Sequence, residues 1–425
     1  MTDTIFALSS GSPPAAIAVV RVSGPEAGNT LRALCGRIPP PRRAVSAQLI
    51  DGEGEQIDRA LVLWLPGPGT ATGDDIAEFH LHGGRAVVRA LERSLTCLPG
   101  LRPATAGEFT RRAFANGRID LAEAEGLADL LSAETELQRR SAMAMAGGAF
   151  SATVATWRER LLAASAGLEA VLDFGDEDDV APLPPSFQSG LAVLQDDIAA
   201  WLARPRAEVL REGYRVVIAG PPNLGKSTLF NVLVGSEAAI ATPIAGTTRD
   251  VLTRPVSLGG IPFLFADTAG LHDNAGDEVE AIGIERALEA LDRADLVLWL
   301  GPEGMGPQGC WEIASQIDRA DALVKRRARH RISAISGAGL DALRQDLIET
   351  ARKAMPRPGE AALNERQHGL LADASRALAG ARSERDPLLI AENLRLARVA
   401  FDGLLGRTTT EDMLDTLFGR FCIGK

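Results

Sequence analysis

The period of apolar positions changes several times along this chain, and each change marks a change of architecture. Ile17-Ala18-Val19-Val20-Arg21-Val22, Ala60-Leu61-Val62-Leu63-Trp64-Leu65 and residues 75–82 are short β-rich runs set off by Pro/Gly-rich loops at 36–43 and 66–73. They predict strands of a mixed α/β unit, with a helix starting after Gly83-Gly84. No proline occurs from Ala104 to Ala181, where Met143, Phe150, Val154, Trp157, Leu161, Leu168 and Leu172 form one helical stripe that Gly147-Gly148 kinks or breaks. Phe187, Leu191, Leu194, Ile198 and Trp201 predict a second helix, and both stripes read as bundle core. From about 213 to 350 strand and helix patterns alternate, as in a doubly wound parallel sheet, with buried strands expected at 261–266, 294–300 and 332–335. After Pro356 and Pro358 the pattern is helical again. The expected fold is α/β plus all-α: a mixed domain at 1–117, a helical bundle domain assembled from 118–212 and 351–425, and a sheet domain at 213–350 inserted into it.

Chemistry enters at residues 220–227. Gly220-Pro221-Pro222-Asn223-Leu224-Gly225-Lys226-Ser227 is a complete G-x-x-x-x-G-K-S loop, preceded by the β-branched run 215–219 and followed by a helical pattern from Thr228. Such a loop curls its N–H groups toward phosphate oxygens, aided by the helix N-terminus. Lys226 is placed to reach the β- and γ-phosphates and Ser227 to ligate Mg²⁺, so the chain is expected to bind a nucleoside triphosphate. Downstream, Ala245-Gly246-Thr247-Thr248 offers a threonine hydroxyl, that of Thr248, to complete the Mg²⁺ shell. Asp267-Thr268-Ala269-Gly270 closes a buried strand, Asp267 suiting an outer-shell hold on Mg²⁺ and the Gly270 N–H the γ-phosphate. Leu271 follows, where a glutamine could have oriented the attacking water; leucine cannot.

Composition narrows the setting. The chain has 425 residues, 46% hydrophobic and 24% charged, as expected of two or three globular domains. Its net charge of −11 argues against broad non-specific nucleic-acid binding. Lys325 to Arg331 and Arg111-Arg112 are local basic runs, each read alone as solvated surface. Cys35, Cys97, Cys310 and Cys422 are scattered, which suits reduced thiols in the cytoplasm. The N-terminus lacks the regions of a signal peptide and no apolar run approaches membrane-spanning length, so no membrane association is expected. His80 and His82 share a strand face without further ligands and read as packing residues.

These motifs resemble the translation-factor-like P-loop GTPases, whose G domain is Ras-like. Over the whole chain they resemble the tRNA-modification GTPases of the MnmE (TrmE) family. Four stretches carry the likeness: Gly107-Glu108-Phe109-Thr110-Arg111-Arg112-Ala113-Phe114-Ala115-Asn116-Gly117, residues 245–250, Val279-Glu280-Ala281-Ile282-Gly283-Ile284-Glu285-Arg286-Ala287 and Phe421-Cys422-Ile423-Gly424-Lys425. The resemblance implies a K⁺ ion beside the phosphates, held by the Asn223 side chain, the carbonyls of Thr242 and Ile244, and Thr247, with Pro243 and Ala245 in the same nucleotide-binding loop. It implies Glu280 as the residue that positions water, acting with Lys226. It also implies 5-formyl-tetrahydrofolate or a related one-carbon folate bound in the N-terminal domain by Arg21, Glu78, Arg118 and Lys425. The activity implied is K⁺-dependent GTP hydrolysis that helps add a carboxymethylaminomethyl-type group to the wobble uridine of certain tRNAs. The implied partners are a second copy of the chain, forming a homodimer through its N-terminal domain, and a flavin-dependent protein of the MnmG (GidA) family, together a heterotetramer. Read from the residues alone, Asn223 is also a plain turn residue, and Cys422 lacks a neighbouring base to activate it.

The chain departs from the family pattern at the guanine-reading motif N-K-x-D. Its best match is Asp318-Arg319-Ala320-Asp321: Asp321 keeps the acceptor pair, Arg319 can stack on the base, and Asp318 replaces an amide donor. Ser333-Ala334-Ile335 stands where a loop N–H would meet the guanine O6, and His272 stands where the family has Arg. Two other readings stay open: a ribosome-assembly GTPase of the Era/EngA kind, and a nucleotide-gated folate-binding scaffold with little turnover.

Overall fold

Two six-stranded sheets organise the chain, and each belongs to its own compact unit. The computed structural model describes residues 3–174, 185–235, 252–267, 289–408, 410–419 and 421–424. The first unit is Met1–Ala128 with Arg398–Lys425; the second is Asp129–Ala397.

In the first unit the strands are β1 (Thr4–Leu8), β2 (Ile17–Ser23), β3 (Val45–Ile50), β4 (Gln56–Leu65), β5 (Ile76–His82) and β6 (Leu101–Pro103), in the order β3-β4-β5-β2-β1-β6. Neighbours are antiparallel except β1 and β6. The alternation of β2 and β5 sends Ala18, Val20, Val22, Ala77, Phe79 and Leu81 into one core with α1 (Ala27–Cys35) and α2 (Arg85–Thr96). On the other face, Ile5 and Ala7 pack with Phe109 of α3 (Glu108–Ala115).

In the second unit β7 (Tyr214–Ala219), β8 (Leu252–Leu258), β9 (Ile261–Asp267), β10 (Leu296–Trp299), β11 (Trp311–Ala314) and β12 (His330–Arg331) run in the order β12-β11-β10-β7-β9-β8. All pairs are parallel except the edge strand β8, which lies antiparallel to β9. Residues 332–335, expected as a strand, follow β12 instead; Ser333 turns the chain, accepting at its carbonyl from Gly337 and at its hydroxyl from Ser336.

The predicted long helix is two: α5 (Glu136–Ala146) and α6 (Ala149–Phe174), α4 (Leu121–Ser132) preceding them. Gly148, at φ 78°, makes the break. Phe150, Val154, Trp157, Leu161 and Leu168 are buried as their spacing requires, but Met143, on the far side of the break, is 55% exposed. In α7 (Pro185–Leu202) Phe187, Leu191, Leu194 and Ile198 are buried, and Trp201 packs on Phe150 and Trp157 with ring centroids 5.0 and 6.2 Å away. Then come α8 (Ala207–Glu212), α9 (Lys226–Gly235), α10 (Leu340–Ala354), α11 (Glu365–Ser383), α12 (Pro387–Leu404) and α13 (Glu411–Phe418).

Two charged residues expected at the surface are buried. Arg112 is 1% exposed, its guanidinium donating to the Asp3 carbonyl and carboxylate and to Glu108. Lys325 is fully buried, its ammonium donating to the Trp299 carbonyl at 2.7 Å and Glu312 at 2.6 Å. His80 and His82 do not pack as expected; they meet carboxylates, His80 Nε2 lying 3.3 Å from Glu78 and His82 Nδ1 2.8 Å from Asp58. Among the described residues no helix is long and apolar enough to cross a membrane, and all four cysteines are free thiols.

Candidate functional site

The phosphate loop is shaped by backbone angles that few residues accept. Buried β7 stops at Ala219, and Gly220 takes φ 144°, where a Cβ would stand 2.9 Å from the Gly301 nitrogen. Asn223 lies at φ 65° and Gly225 at φ 80°. Asparagine is among the few non-glycine residues that visit this region readily, so the backbone alone favours it at 223. α9 begins at Lys226, and a helix N-terminus carries the partial positive charge that attracts phosphate. Lys226 is 5% exposed and its Nζ donates to the Pro221 carbonyl at 2.9 Å, spanning the loop. Ser227 and Thr228 are exposed in the same turn.

β9 runs parallel to β7 with Asp267 opposite Ile218, so both strands end on the same edge of the sheet. Asp267, 1% exposed, closes β9 there. Among the described residues no group of three or more His, Cys, Asp or Glu could hold a metal. A hydroxyl and one carboxylate at this edge form the sparse protein donor set that suits Mg²⁺ when most ligands are phosphate oxygens and water.

The segment expected to read guanine follows β11. The chain leaving β11, Ser315-Gln316-Ile317-Asp318, reaches back to the phosphate loop: Ser315 Oγ donates to the Leu224 carbonyl at 2.8 Å and Gln316 Nε2 to the Asn223 carbonyl at 3.3 Å. Gln316 holds φ 55°, and its amide nitrogen lies 3.3 Å from where a Cβ on Gly225 would be. Arg319 and Asp321 turn to each other, Nε to Oδ1 and Nη2 to Oδ2, both at 2.9 Å. The Arg319 hydrogen bond holds the Asp321 carboxyl below the usual carboxylate range. The acceptor pair assigned to the base is thus engaged, and the guanidinium meant to stack is committed to the same fork. Asp318, two residues past Gln316, is exposed. In sequence, Ser315-Gln316-Ile317-Asp318 keeps the spacing of N-K-x-D and its aspartate, immediately after Trp311-Glu312-Ile313-Ala314. Ser333 is fully buried, Ala334 half-buried and Ile335 81% exposed.

In the first unit, Arg21 and Glu78 face each other across β2 and β5, Nη2 to Oε1 at 2.9 Å, with the guanidinium 5.9 Å from the Phe109 ring centre. Arg118 is exposed and makes no ion pair with them among the described residues. The C-terminal segment does come to this unit: Ile423 bridges Ala106, and Gly424, at φ 97°, lies so close to β1 that a Cβ would stand 2.1 Å from the Leu8 carbonyl oxygen. Thr242, Pro243, Ile244, Ala245, Gly246, Thr247, Thr248, Thr268, Ala269, Gly270, His272, Glu280 and Lys425 lie outside the described residues.

Comparison with known proteins accounts for the whole chain. The family model of the GTP-binding protein TrmE N-terminus matches residues 4–118, and that of the MnmE helical domain matches 121–422. The tRNA modification GTPase MnmE of Novosphingobium aromaticivorans is 62% identical over 437 residues, covering 100% of both chains. That of Erythrobacter litoralis is 61% identical over 423 residues, again covering 100% of each. That of Zymomonas mobilis is 49% identical over 435 residues, covering 99% of this chain and 100% of the other.

Proposed function

The chain belongs to the MnmE family of tRNA-modification GTPases and hydrolyses GTP, and from that premise we propose that hydrolysis is K⁺-dependent and serves modification of the wobble uridine. The observation that carries this reading is the loop that places Asn223 at positive φ between Gly220 and Gly225, beside a spanning Lys226. Lys226 would release Pro221 and meet the β- and γ-phosphates. Ser227 and Thr248 would hold Mg²⁺, with Asp267 behind, and the bound cation neutralises charge on the phosphates. Asn223, the Thr242 and Ile244 carbonyls and Thr247 would hold K⁺, whose charge does the work of an arginine finger. Glu280 would orient water where Leu271 cannot. Asp318 would accept from the guanine N1–H and 2-amino group, with Gln316 covering the loop and Ser333-Ala334-Ile335 near O6.

In the N-terminal domain, Arg21, Glu78, Arg118 and Lys425 would bind a formyl-tetrahydrofolate. The Arg21–Glu78 pair supports this, because it offers a pterin both an acceptor and a cation. The carbon would pass to C5 of the wobble uridine as part of a carboxymethylaminomethyl-type group, with a flavin-dependent MnmG-family protein as partner. The assembly would be a cytoplasmic heterotetramer around a homodimer of this chain. We take 1–117 as the folate and dimerisation domain, 118–212 with 351–425 as the helical domain, and 213–350 as the G domain. Phosphate release in K⁺ against Na⁺, with Glu280→Ala alongside, tests the hydrolytic half: turnover at least tenfold higher in K⁺ and lost in the variant is expected. Rates indifferent to both changes overturn it. A wobble-nucleoside profile from cells lacking the chain tests the other half, and unmodified wobble uridine is the expected result.

A further inference from the structure

Arg85, Arg89, Arg93 and Cys97 follow one another at intervals of four along α2 and just past its end, while Val88, Leu91 and Leu95 bury its other side. Arg85 donates to the Pro13 carbonyl. The Arg89 and Arg93 side chains are exposed and, among the described residues, make neither ion pair nor hydrogen bond. Together with Cys97 they line a cavity of about 1010 Å³ that is also lined by Phe6, Cys422 and Ile423. Against these two guanidinium groups the lining holds a single carboxylate, that of Glu92. In a chain of net charge −11 this is a local excess of positive charge, beside the docked C-terminal segment.

We propose that this cavity receives a stretch of phosphodiester backbone of the tRNA substrate, held by Arg89 and Arg93, and so brings the nucleic acid up to Cys422. The inference rests on the reading of tRNA as substrate. The form of the site favours a polyanionic strand over a small anion. A small-anion pocket converges buried donors on one point, whereas these arginines leave the helix one turn apart, ~6 Å along its axis, and remain in solvent. Exposed cations of that kind position a backbone without reading sequence. The cavity's volume is at the upper limit for small-molecule sites. Two thiols, Cys97 and Cys422, report on whether it is filled.

The test uses the full chain, fluorescent tRNA and a salt series. Wild type should bind, and R89E/R93E should bind roughly tenfold more weakly with a salt slope shallower by about 1.5, the value for two lost phosphate contacts. Saturating tRNA should slow maleimide alkylation of both Cys97 and Cys422 in wild type and not in the variant, whose GTP hydrolysis should be unchanged. Equal affinity and slope in the two proteins overturn the proposal while leaving tRNA as substrate. Protection of both thiols by formyl-tetrahydrofolate or pyrophosphate, but not by tRNA, reassigns the cavity to a small anion and overturns it too. A wild type that binds no tRNA removes the substrate reading, and this site with it.

Discussion

Arg111 and Arg112 are neighbours in sequence, yet Arg111 meets Glu411 and Asp415 at the surface while Arg112 is enclosed with Asp3 and Glu108. A run of basic letters reports composition; the 100° step of a helix decides which member faces the core. The enclosed group has a consequence in acid. Burial would raise the Glu108 carboxyl, but hydrogen bonds from Arg102 and Thr105, with the charges of Arg102 and Arg112, hold it at about 2. A depressed carboxyl stabilises the fold fully above its ordinary value of 4.5 and loses that contribution as pH falls toward 2. We expect on the order of 3 kcal/mol of stability to disappear across that interval, and urea midpoints of Glu108→Gln should show a flatter acid limb. The base-reading segment makes a second prediction. Asp318→Asn exchanges the acceptor that guanine needs for an amide that can donate to the xanthine 2-carbonyl. GTP affinity should drop by about tenfold or more and XTP affinity should rise, the discrimination expected when polar partners are mismatched. Asp321→Asn should leave both within about twofold, because it loses only an exposed pairing with Arg319. If Asp321→Asn causes the switch instead, the Asp318-to-Asp321 register is the right one.

Elements were legible where period and length agreed. β7, β9 and β10 are apolar runs with a phosphate loop or an aspartate to anchor them, and the helical stripe of α6 holds for five turns or more. β8 was hidden by Pro255, a residue that a central strand excludes and an edge strand tolerates, and β8 is the edge. β11 was hidden by its length, four residues after a Gly/Pro-rich stretch. The run 332–335 looked like a strand by composition, but Ile332 is the last residue the core takes before Ser333 turns. Glycine has opposite meanings within these helices. Gly148 sits at φ 78°, in the left-handed region that ends α5, so Gly148→Ala should cost about 1–2 kcal/mol. Gly167 lies inside α6 with nothing within 4 Å of a new Cβ, so Gly167→Ala should gain roughly 0.5–1 kcal/mol. Thermal midpoints moving the same way in both variants would contradict this reading of the break.

At the scale of the molecule, period says what an element is but not which core it joins. The C-terminal helices look alike in sequence, yet residues up to Ala397 belong with the second sheet and those from Arg398 onward with the first. The attachment of the last segment is specific. Leu414, Phe418 and Phe421 are buried against Leu121 and Ala124, and Gly107, at φ 67°, comes so close that a Cβ would stand 2.2 Å from the Phe418 carbonyl oxygen. Three such side chains contribute roughly 2 kcal/mol each, a large part of the 5–15 kcal/mol that holds a typical domain. Deleting residues 411–425 should therefore lower the melting transition of the first unit by roughly 10 °C or more. The phosphate loop lies in the second unit, and a ligand raises the transition only of the folded part that binds it. Calorimetry with and without GDP separates the two: the nucleotide should shift one transition, and the deletion the other. A deletion that lowers the GDP-sensitive transition, or a single transition moved by both, would mean that the two cores melt as one cooperative body.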